Sequence, residues 1–314
     1  MIPFAIAGVQ MHVGAMRDNT QVMVQKVDLV MASFPWVQMI VFSELAACGP
    51  LPHAPQTLPG AHLQTLAAAA ARHGVWIVNG SNFEMGEDGR IYNTASVIDA
   101  NGHVIRHYRK MFPFRPYERD VSAGTGFCVF DVPDVGRFGL SICYDLWFPE
   151  TTRTLTAMGA EVLLHPVLTR TIDRDVEIAM ARAAAAQFQC FVFDINGLAA
   201  GGIGRSCVFS PSGSVLHQAG GQDEIIPIEV DLEQVRRQRE RGMFGLGQVL
   251  KSFRDREVEF SVYDRNSGTD AFLHTLGPLH MPDKGGRAGI GTLAPAQTLQ
   301  ATPHAPQLDD PATG

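Results

Sequence analysis

The chain is poor in the features that mark disulfide-stapled, metal-binding and nucleic-acid-binding proteins. Its 314 residues include only five cysteines, which are widely spaced and form no Cys-x-x-Cys pair. That pattern argues against a disulfide framework or a zinc site and for free thiols in a reducing cytosol. The eleven histidines are scattered and indicate no metal site. No long run of lysine and arginine predicts binding to nucleic acid or to an anionic membrane.

Long apolar runs are also missing, so we expect no membrane-spanning segment. The first ten residues lack a basic leader and predict a first strand, not a signal peptide. With 46% hydrophobic residues, 18% charged residues and a net charge of −7, the composition is that of a globular protein with a large core. We therefore expect a cytoplasmic protein of one large domain or two.

Apolar runs and amphipathic stretches alternate along the chain. The predicted strands cover residues 4–10, 39–43, 75–80, 92–98, 103–108, 161–165, 190–194, 206–210 and 225–230, and the predicted helices cover 19–33, 63–73, 150–158 and 173–189. Residues 99–102 predict the turn of a hairpin. The alternation predicts an α/β protein with a mixed sheet covered by helices, without distinguishing a sandwich from a doubly wound fold.

The character of the sequence changes after about residue 262. Residues 266–268 are loop-like, and the segment from Ala301 onward is rich in proline and alanine without periodicity. We therefore predict a domain over residues 1–262 and a C-terminal extension over 263–314 that is partly flexible or wraps a second subunit.

Three residues suited to joint chemistry each follow a strand-like run. Cys143 ends an apolar run and precedes a helix-starting signal, an arrangement that exposes a nucleophile beside backbone N–H groups. Glu44 follows an apolar run in which desolvation raises the proton affinity of a carboxylate, and Lys110 ends a mixed run. We expect the three to form one active site at one edge of a sheet.

Each of these residues also has an ordinary interpretation. On its own, Cys143 would be interpreted as a small buried residue, and Glu44 as a carboxylate at the edge of a loop. On its own, Lys110 would be interpreted as part of a solvated basic surface with Arg106 and Arg109. Only their occurrence together favours catalysis.

Three segments in order carry a family resemblance: residues 42–45 (Phe-Ser-Glu-Leu), 108–112 (Tyr-Arg-Lys-Met-Phe) and 143–150 (Cys-Tyr-Asp-Leu-Trp-Phe-Pro-Glu). From about residue 3 to about residue 262, the chain resembles the nitrilase superfamily of carbon–nitrogen hydrolases, whose members share a Glu-Lys-Cys triad. The resemblance implies a four-layer α-β-β-α sandwich with mixed sheets, a cofactor-free reaction and a homodimer or higher homo-oligomer.

The chemistry of amide hydrolysis suggests a role for each member of the triad. Cys143 would attack the carbonyl carbon, Glu44 would act as the base, and Lys110 would donate to the oxyanion. By resemblance, Glu118 is the family's second glutamate, which would hold Lys110 or the substrate nitrogen. The alternative for Glu118 is an ordinary ion pair with Arg115 or Arg119.

Residues after the cysteine complete the predicted site. The backbone N–H of Tyr144 would be a second oxyanion donor, and Trp147 would line the substrate cavity or, equally, belong to the core. Asp145 is expected to have a structural role, and Arg153 could pair with it inside the fold.

We predict hydrolysis of a small amide to a carboxylate and ammonia, with the amide and water as the partners. The nitrilase subgroup usually has Cys-Trp-Glu where this chain has Cys143-Tyr144-Asp145, which favours an amide over a nitrile. Leu45 follows the glutamate where aliphatic amidases have an aromatic residue, so short aliphatic amides are not expected to be the only substrates. The alternatives are an N-carbamoyl hydrolase or a nitrilase on the same triad, and a catalytically silent binding or scaffold protein of the same fold.

Overall fold

The computed structural model describes residues 1–50, 55–115, 117–170, 173–279 and 281. The chain divides into two compact units, Met1–Leu276 and Gly277–Gly314, and every element below lies in the first. The domain boundary predicted at residue 262 stays a prediction, and the proline-rich segment from Ala301 lies outside the described residues.

Two large β-sheets form the centre of the first unit. The strands are β1 (Pro3–Gln10), β2 (His12–Val13), β3 (Met39–Phe42), β4 (Trp76–Val78), β5 (Asn82–Met85), β6 (Ile91–Ile98), β7 (Val104–Arg109), β8 (Val121–Ser122), β9 (Cys128–Val132), β10 (Gly136–Leu140), β11 (Val162–Val167), β12 (Phe191–Asn196), β13 (Leu198–Ala199), β14 (Cys207–Phe209), β15 (Val215–Gln218) and β16 (Glu224–Asp231). The first sheet has the order β16-β1-β3-β4-β6-β5, with β7 and β8 also pairing with β6, and the second has the order β15-β14-β12-β11-β10-β9. Both sheets mix parallel and antiparallel neighbours.

The two sheets pack face to face. Phe4 and Met39 of the first sheet share one buried cluster with Phe138, Leu140 and Phe193 of the second. Burying a side chain of this size stabilises the fold by roughly 1.5–3 kcal/mol relative to leaving it in water. The paired apolar faces therefore fix the position of each sheet against the other, and with it the position of the residues at the strand ends.

Helices cover the outer face of each sheet. The helices are α1 (Thr20–Ser33), α2 (Ala61–His73), α3 (Pro149–Ala157), α4 (Arg174–Phe188), α5 (Leu232–Arg241) and α6 (Val249–Arg254). Helices α1 and α2 bury apolar residues in one cluster with the first sheet, whereas α3 and α4 do so with the second. The layers thus run α-β-β-α, as the family resemblance implied.

All of the predicted strands and helices are present, with ends displaced by at most two residues. Helix α2 ends before Gly74, whose φ of +64° is a left-handed conformation that glycine adopts without strain. The expectation of a site at one edge of a single sheet was wrong, because Glu44 and Lys110 follow strands of the first sheet and Cys143 follows a strand of the second. Within the described residues, none of the helices combines the length and apolar character needed to cross a membrane.

Candidate active site

Glu44 lies just beyond the end of β3, where the two sheets meet. Its backbone N–H donates to Val167 O, at the end of β11 in the second sheet, at 3.2 Å. Gly80 passes so close that a Cβ there would lie 1.8 Å from Ser43 O, and its φ is +78°. Only glycine can lie this close to the Ser43 carbonyl. The close packing of the two chain segments leaves Glu44 with 2% of its surface exposed.

Lys110 follows β7 and is held by main-chain bonds on both sides. Its N–H donates to Asn93 O at 2.8 Å, and its carbonyl accepts from Gly124 N–H at 2.8 Å. The ammonium group lies 2.9 Å from Glu44 Oε1 and 2.9 Å from Glu118 Oε2. With 1% of its surface exposed, Lys110 is not the solvated basic residue of the ordinary interpretation.

Glu118 contacts Lys110 instead of the arginines that flank it in sequence. Its carboxylate accepts from the Lys110 ammonium and from the backbone N–H of Phe114. Arg115 donates to the main-chain carbonyls of Glu118 and Arg119, not to the Glu118 carboxylate. The structure therefore brings Glu118 to the predicted triad.

Cys143 begins a one-turn 3-10 helix, Cys143–Trp147, after the end of β10. Its φ is +44°, a conformation that costs a residue with a Cβ roughly 1–3 kcal/mol. The thiol lies 3.8 Å from Leu168 O and is near enough to Glu44 for the charge of that carboxylate to act on it. The fold thus holds a strained cysteine with its sulfur beside the proposed base.

Tyr144 and Trp147 take different places around the cysteine. The N–H of Tyr144 is in the first turn of the helix, where backbone donors have no intrahelical acceptor. Its ring contacts Phe114 at 5.1 Å and Trp147 at 5.8 Å between centroids. Trp147 is 38% exposed and lines the same cavity as Cys143, so it is not an ordinary core aromatic.

Asn93 is a residue that the sequence analysis did not single out. It lies inside β6, and its amide Nδ2 donates to Glu44 Oε1 at 2.8 Å and to Glu118 Oε1 at 3.3 Å. Glu44 Oε1 thus accepts from both Asn93 and Lys110, which leaves Oε2 for the cysteine and the substrate. The available signal was a polar residue within a predicted strand.

Asp145 joins the segment of the cysteine to the segment of the lysine. One carboxylate oxygen accepts from Ile142 N–H at 2.9 Å and from the Tyr108 hydroxyl at 2.6 Å, and the other accepts from Phe112 N–H at 2.9 Å. Arg153 instead lies over the ring of Phe253, so the suggested Arg153–Asp145 pair was wrong. These contacts agree with the structural role expected for Asp145, since they tie the segment of Cys143 to the segment of Lys110 across the two sheets.

The electrostatics of the cluster favour a neutral thiol beside a charged lysine. Burial would lower the pKa of Lys110, but the charges of Glu44 and Glu118 hold it well above its ordinary value. Burial would raise the pKa of Glu118, but Lys110 and the Phe114 N–H bring it below the ordinary value. Burial, followed by the Glu44 charge, raises the pKa of Cys143 well above that of a free thiol.

Glu44 has the opposite shift to Glu118. Burial is the largest cause and raises the pKa of Glu44 above its ordinary value, against the opposing effect of Lys110. Of the two carboxylates, Glu44 is therefore the one poised to accept a proton. Glu118 stays charged and keeps Lys110 charged.

The activity is predicted to fall on the acid side as Glu44 becomes protonated. A base must be deprotonated to act, and a raised pKa moves the loss of the base to higher pH. The midpoint of the acid limb of kcat/KM should therefore lie above about 4.3, the ordinary value for a glutamate. A pH profile measured alongside circular dichroism separates this limb from unfolding, and a midpoint at or below that value would contradict the assignment of Glu44.

Replacing Asn93 with leucine is predicted to lower kcat roughly 10- to 100-fold, because two hydrogen bonds to charged acceptors are lost. The pKa of Glu44 should rise further without its donor, so the acid limb of kcat/KM should move to higher pH. Asn101→Leu in the exposed turn before β7 is the control and should change neither quantity. A lower kcat with an unmoved acid limb would mean that Asn93 only supports the fold.

A cavity of 450 Å³ contains the cluster and opens to its surroundings. Its lining is Glu44, Leu45, Pro50, Phe83, Lys110, Phe114, Tyr117, Glu118, Cys143, Tyr144, Trp147, Leu168, Thr169, Arg170, Asp173 and Glu177. A larger cavity of 870 Å³, around Glu84 and Arg109, is lined by neither Glu44, Lys110 nor Cys143. The described residues contain no group of histidine, cysteine and acidic side chains suited to a metal ion.

Comparisons with known proteins agree with this arrangement. The carbon–nitrogen hydrolase family profile matches residues 5–240. The 2-oxoglutaramate amidase of Bacillus subtilis (strain 168) is 34% identical over 184 residues, which cover 56% of this chain and 69% of that protein. Omega-amidase NIT2-A of Xenopus laevis is 27% identical over 229 residues, which cover 62% of this chain and 79% of that protein.

Among solved structures, Saccharomyces cerevisiae Nit3, a member of branch 10 of the nitrilase superfamily, superposes with a TM-score of 0.69 at 25% identity. The match covers 76% of this chain and 93% of that chain. Together these matches confirm the predicted four-layer fold and the predicted enzyme class, a carbon–nitrogen hydrolase. The chain belongs to the carbon–nitrogen hydrolase family.

Proposed function

We propose that this enzyme hydrolyses a small amide to a carboxylate and ammonia through a thioester on Cys143. The observation that carries the proposal is Lys110, held 2.9 Å from both Glu44 and Glu118 in the cavity that also contains the cysteine. The two curated relatives named above are amidases, which confirms the predicted reaction class. The roles of the individual residues are our proposals.

Formation of the acyl-enzyme begins with attack by Cys143 Sγ on the amide carbon. Glu44 takes the thiol proton as the C–S bond forms, so no free thiolate is needed in a site that already holds two carboxylates. The electrons of the C=O bond move to oxygen, and the oxyanion accepts from Lys110 and from the backbone N–H of Tyr144. The raised pKa of Glu44 makes it an effective acceptor for this proton.

Collapse of the tetrahedral intermediate releases ammonia. Glu44 passes its proton to the amide nitrogen, the C–N bond breaks, and the thioester remains on Cys143. Water then adds to the thioester carbon while Glu44 accepts a proton from it. The second collapse breaks the C–S bond, returns that proton to sulfur and releases the carboxylic acid. Glu118 keeps Lys110 charged and in place through both halves.

Two other functions use the same residues. In an N-carbamoyl hydrolase or a nitrilase, Cys143 would attack the substrate carbon in the same way. The first would release carbon dioxide, and the second would form a thioimidate on the cysteine. Tyr144 and Asp145, in place of the Trp-Glu of the nitrilase subgroup, favour the amide. A silent scaffold has less support, because the acid, base and nucleophile side chains remain together in an open cavity.

We also propose a cytoplasmic homo-oligomer. Five free cysteines suit a reducing compartment. Exposed apolar side chains in the C-terminal part of the first unit, including Phe244, Val262, Phe272 and Leu276, suit burial against a second copy. Size-exclusion chromatography with light scattering tests this, and a monomer at micromolar concentration would contradict it.

The test of function is an ammonia assay over amides, nitriles and N-carbamoyl compounds, with intact-mass spectrometry of the quenched enzyme. Ammonia from amides, with an acyl adduct that maps to Cys143, would support the proposal. Ammonia with carbon dioxide from carbamoyl compounds alone would favour the first alternative. No adduct and no ammonia from the whole panel would favour the scaffold.

A further inference from the structure

We propose that Glu177 is a positioning residue of the active site: it joins the two chain segments that hold the Cys143 thiol and places a surplus negative charge beside it. This inference rests on the proposed role of Cys143 as the nucleophile and adds a residue that the sequence analysis did not single out. Glu177 lies in the first turn of α4, is 7% exposed and lines the 450 Å³ cavity together with Cys143.

The Glu177 carboxylate contacts one residue on each side of the thiol. Trp147, whose Nε1 donates to Glu177 Oε1 at 3.5 Å, ends the 3-10 helix that Cys143 begins. Thr169, whose hydroxyl donates to Glu177 Oε2, directly follows Leu168 in the chain. The carbonyl of Leu168 accepts from the Cys143 thiol. One side chain from α4 therefore connects the segment of the cysteine with the segment that follows β11.

The charge of Glu177 is not balanced by its neighbours on the far side of the cavity wall. Arg174, three residues earlier, is fully buried between two carboxylates. Its Nη2 donates to Asp194 Oδ1, whereas its Nη1 lies 3.6 Å from Glu177 Oε2. Burial raises the pKa of Glu177, and its hydrogen bond with Thr169 and the Arg174 charge oppose that rise. One guanidinium group balances only one of the two carboxylates, so one negative charge remains in this buried group.

Glu177 is one of the three charged groups that act most strongly on the thiol. The charged residues that line the cavity with Cys143 are Glu44, Lys110, Glu118, Arg170, Asp173 and Glu177, and Asp145 lies in the cysteine's own 3-10 helix. Burial is the largest cause of the raised pKa of the thiol, followed by the charges of Glu44, Lys110 and Glu177. The charges of Glu44 and Lys110 oppose each other. Glu177 adds to the rise and so favours the neutral thiol, which passes its proton to Glu44 during attack.

An acid in the first turn of a helix ordinarily stabilises the helix dipole. Asp175 is available for this role, since it lies in the same turn of α4 with its side chain 75% exposed and paired with Arg205. Glu177 is instead buried, and its hydrogen bonds go to residues of other elements. A buried carboxylate destabilises a fold unless its contacts offset the loss of water, so the helix dipole alone does not account for its position.

The experiment measures how fast methyl methanethiosulfonate labels Cys143 as a function of pH, with the labelled peptide identified by mass spectrometry. Glu177→Gln keeps the length of the side chain and an acceptor for Trp147, but it removes the charge. We expect the midpoint of labelling to move to lower pH, with labelling below the midpoint roughly three- to tenfold faster than in the wild type. Thiols titrate several pH units above the ordinary pKa of a glutamate, so Glu177 is charged throughout the measurement.

Asp175→Asn is the matched control, because it removes a negative charge from the same turn of α4 at the surface. Its labelling midpoint should equal that of the wild type. A third variant, Glu177→Ala, loses the hydrogen bonds as well as the charge, so its kcat for amides should lie roughly 10- to 100-fold below that of Glu177→Gln, with a smaller change in KM. Circular dichroism and thermal unfolding check that each variant is folded.

An unmoved midpoint in Glu177→Gln, or an equal movement in Asp175→Asn, would overturn the proposed effect of the charge. Equal kcat values for the glutamine and alanine variants would overturn the proposed connection between the two segments. Labelling requires no amide, so the midpoint tests Glu177 independently of turnover. A wild-type enzyme that hydrolyses no amide would count against the proposed function, whereas a shifted midpoint would still support the role of Glu177 beside the thiol.

Discussion

Alanine in place of Cys143 is expected to lower amide turnover at least about 10⁴-fold while the fold stays intact. The loss follows because Cys143 is the only thiol among the described residues that line the cavity with Glu44, and attack by water lacks the covalent route. Alanine keeps the Cβ at the position whose φ is +44°, and the hydrogen bond that it removes, from the thiol to Leu168 O, is long at 3.8 Å. Ammonia release measures the turnover, and thermal unfolding should show a Tm within about 4 °C of the wild type.

Cys48→Ala is the control for the loss of a thiol. Cys48 is the other cysteine that is not fully buried, and it does not line the cavity of Cys143. It should keep full turnover, and an alkylating amide analogue should label the wild type and the Cys48 variant alike but not the Cys143 variant. Turnover near the wild-type rate in Cys143→Ala would remove the thioester from the mechanism.

The sequence predicted the positions of the strands and helices well because apolar periodicity responds to burial on one face, whereas the four layers were implied only by the family resemblance. Helix α2 shows this, since Leu63, Leu66, Ala69 and Ala70 all face the first sheet. Helix α5 was missed because its sequence, Leu-Glu-Gln-Val-Arg-Arg-Gln-Arg-Glu-Arg, buries only Leu232 and Val235. Its stability comes from an Asp231 cap and from ion pairs such as Arg236 with Glu161, which lies 75 positions away in the chain. Pairs so distant in sequence leave no periodic signal.

The contacts of the residues that support the site could not be predicted either, because they are also distant in sequence. Glu44, Lys110 and Cys143 follow strands and belong to short segments with recognisable neighbours, so sequence alone could propose them. Asn93 reaches Glu44 and Glu118 from another strand of the first sheet, and Asp145 acts across the two sheets, so their partners are set by strand order and by the packing of one sheet on the other. That packing also decides that the site lies between two sheets, which no local pattern encodes.

Methionine in place of Lys110 is expected to abolish turnover and to destabilise the fold by about 3–5 kcal/mol. The substitution leaves Glu44 and Glu118 buried near each other without the cation that both contact. The native state can relieve this only by binding a proton, so the pKa of one carboxylate should lie above its value in the unfolded chain. The variant should therefore be most stable at low pH and lose stability as the pH rises through that raised pKa. In the wild type, Glu118 should give the opposite pH dependence of stability. Its lowered pKa adds stability that is lost as the pH falls.

The double variant Lys110→Met with Glu118→Gln separates catalysis from folding. It leaves one carboxylate in place of two, so urea unfolding should show part of the lost stability regained and a weaker pH dependence. Turnover should stay at the background level, because the oxyanion still lacks the ammonium donor. Lys26→Met, which breaks a surface pair with Asp223, is the control and should cost at most about 1 kcal/mol. Turnover restored in the double variant would mean that Lys110 serves only to balance Glu118, and its proposed place at the oxyanion would be wrong.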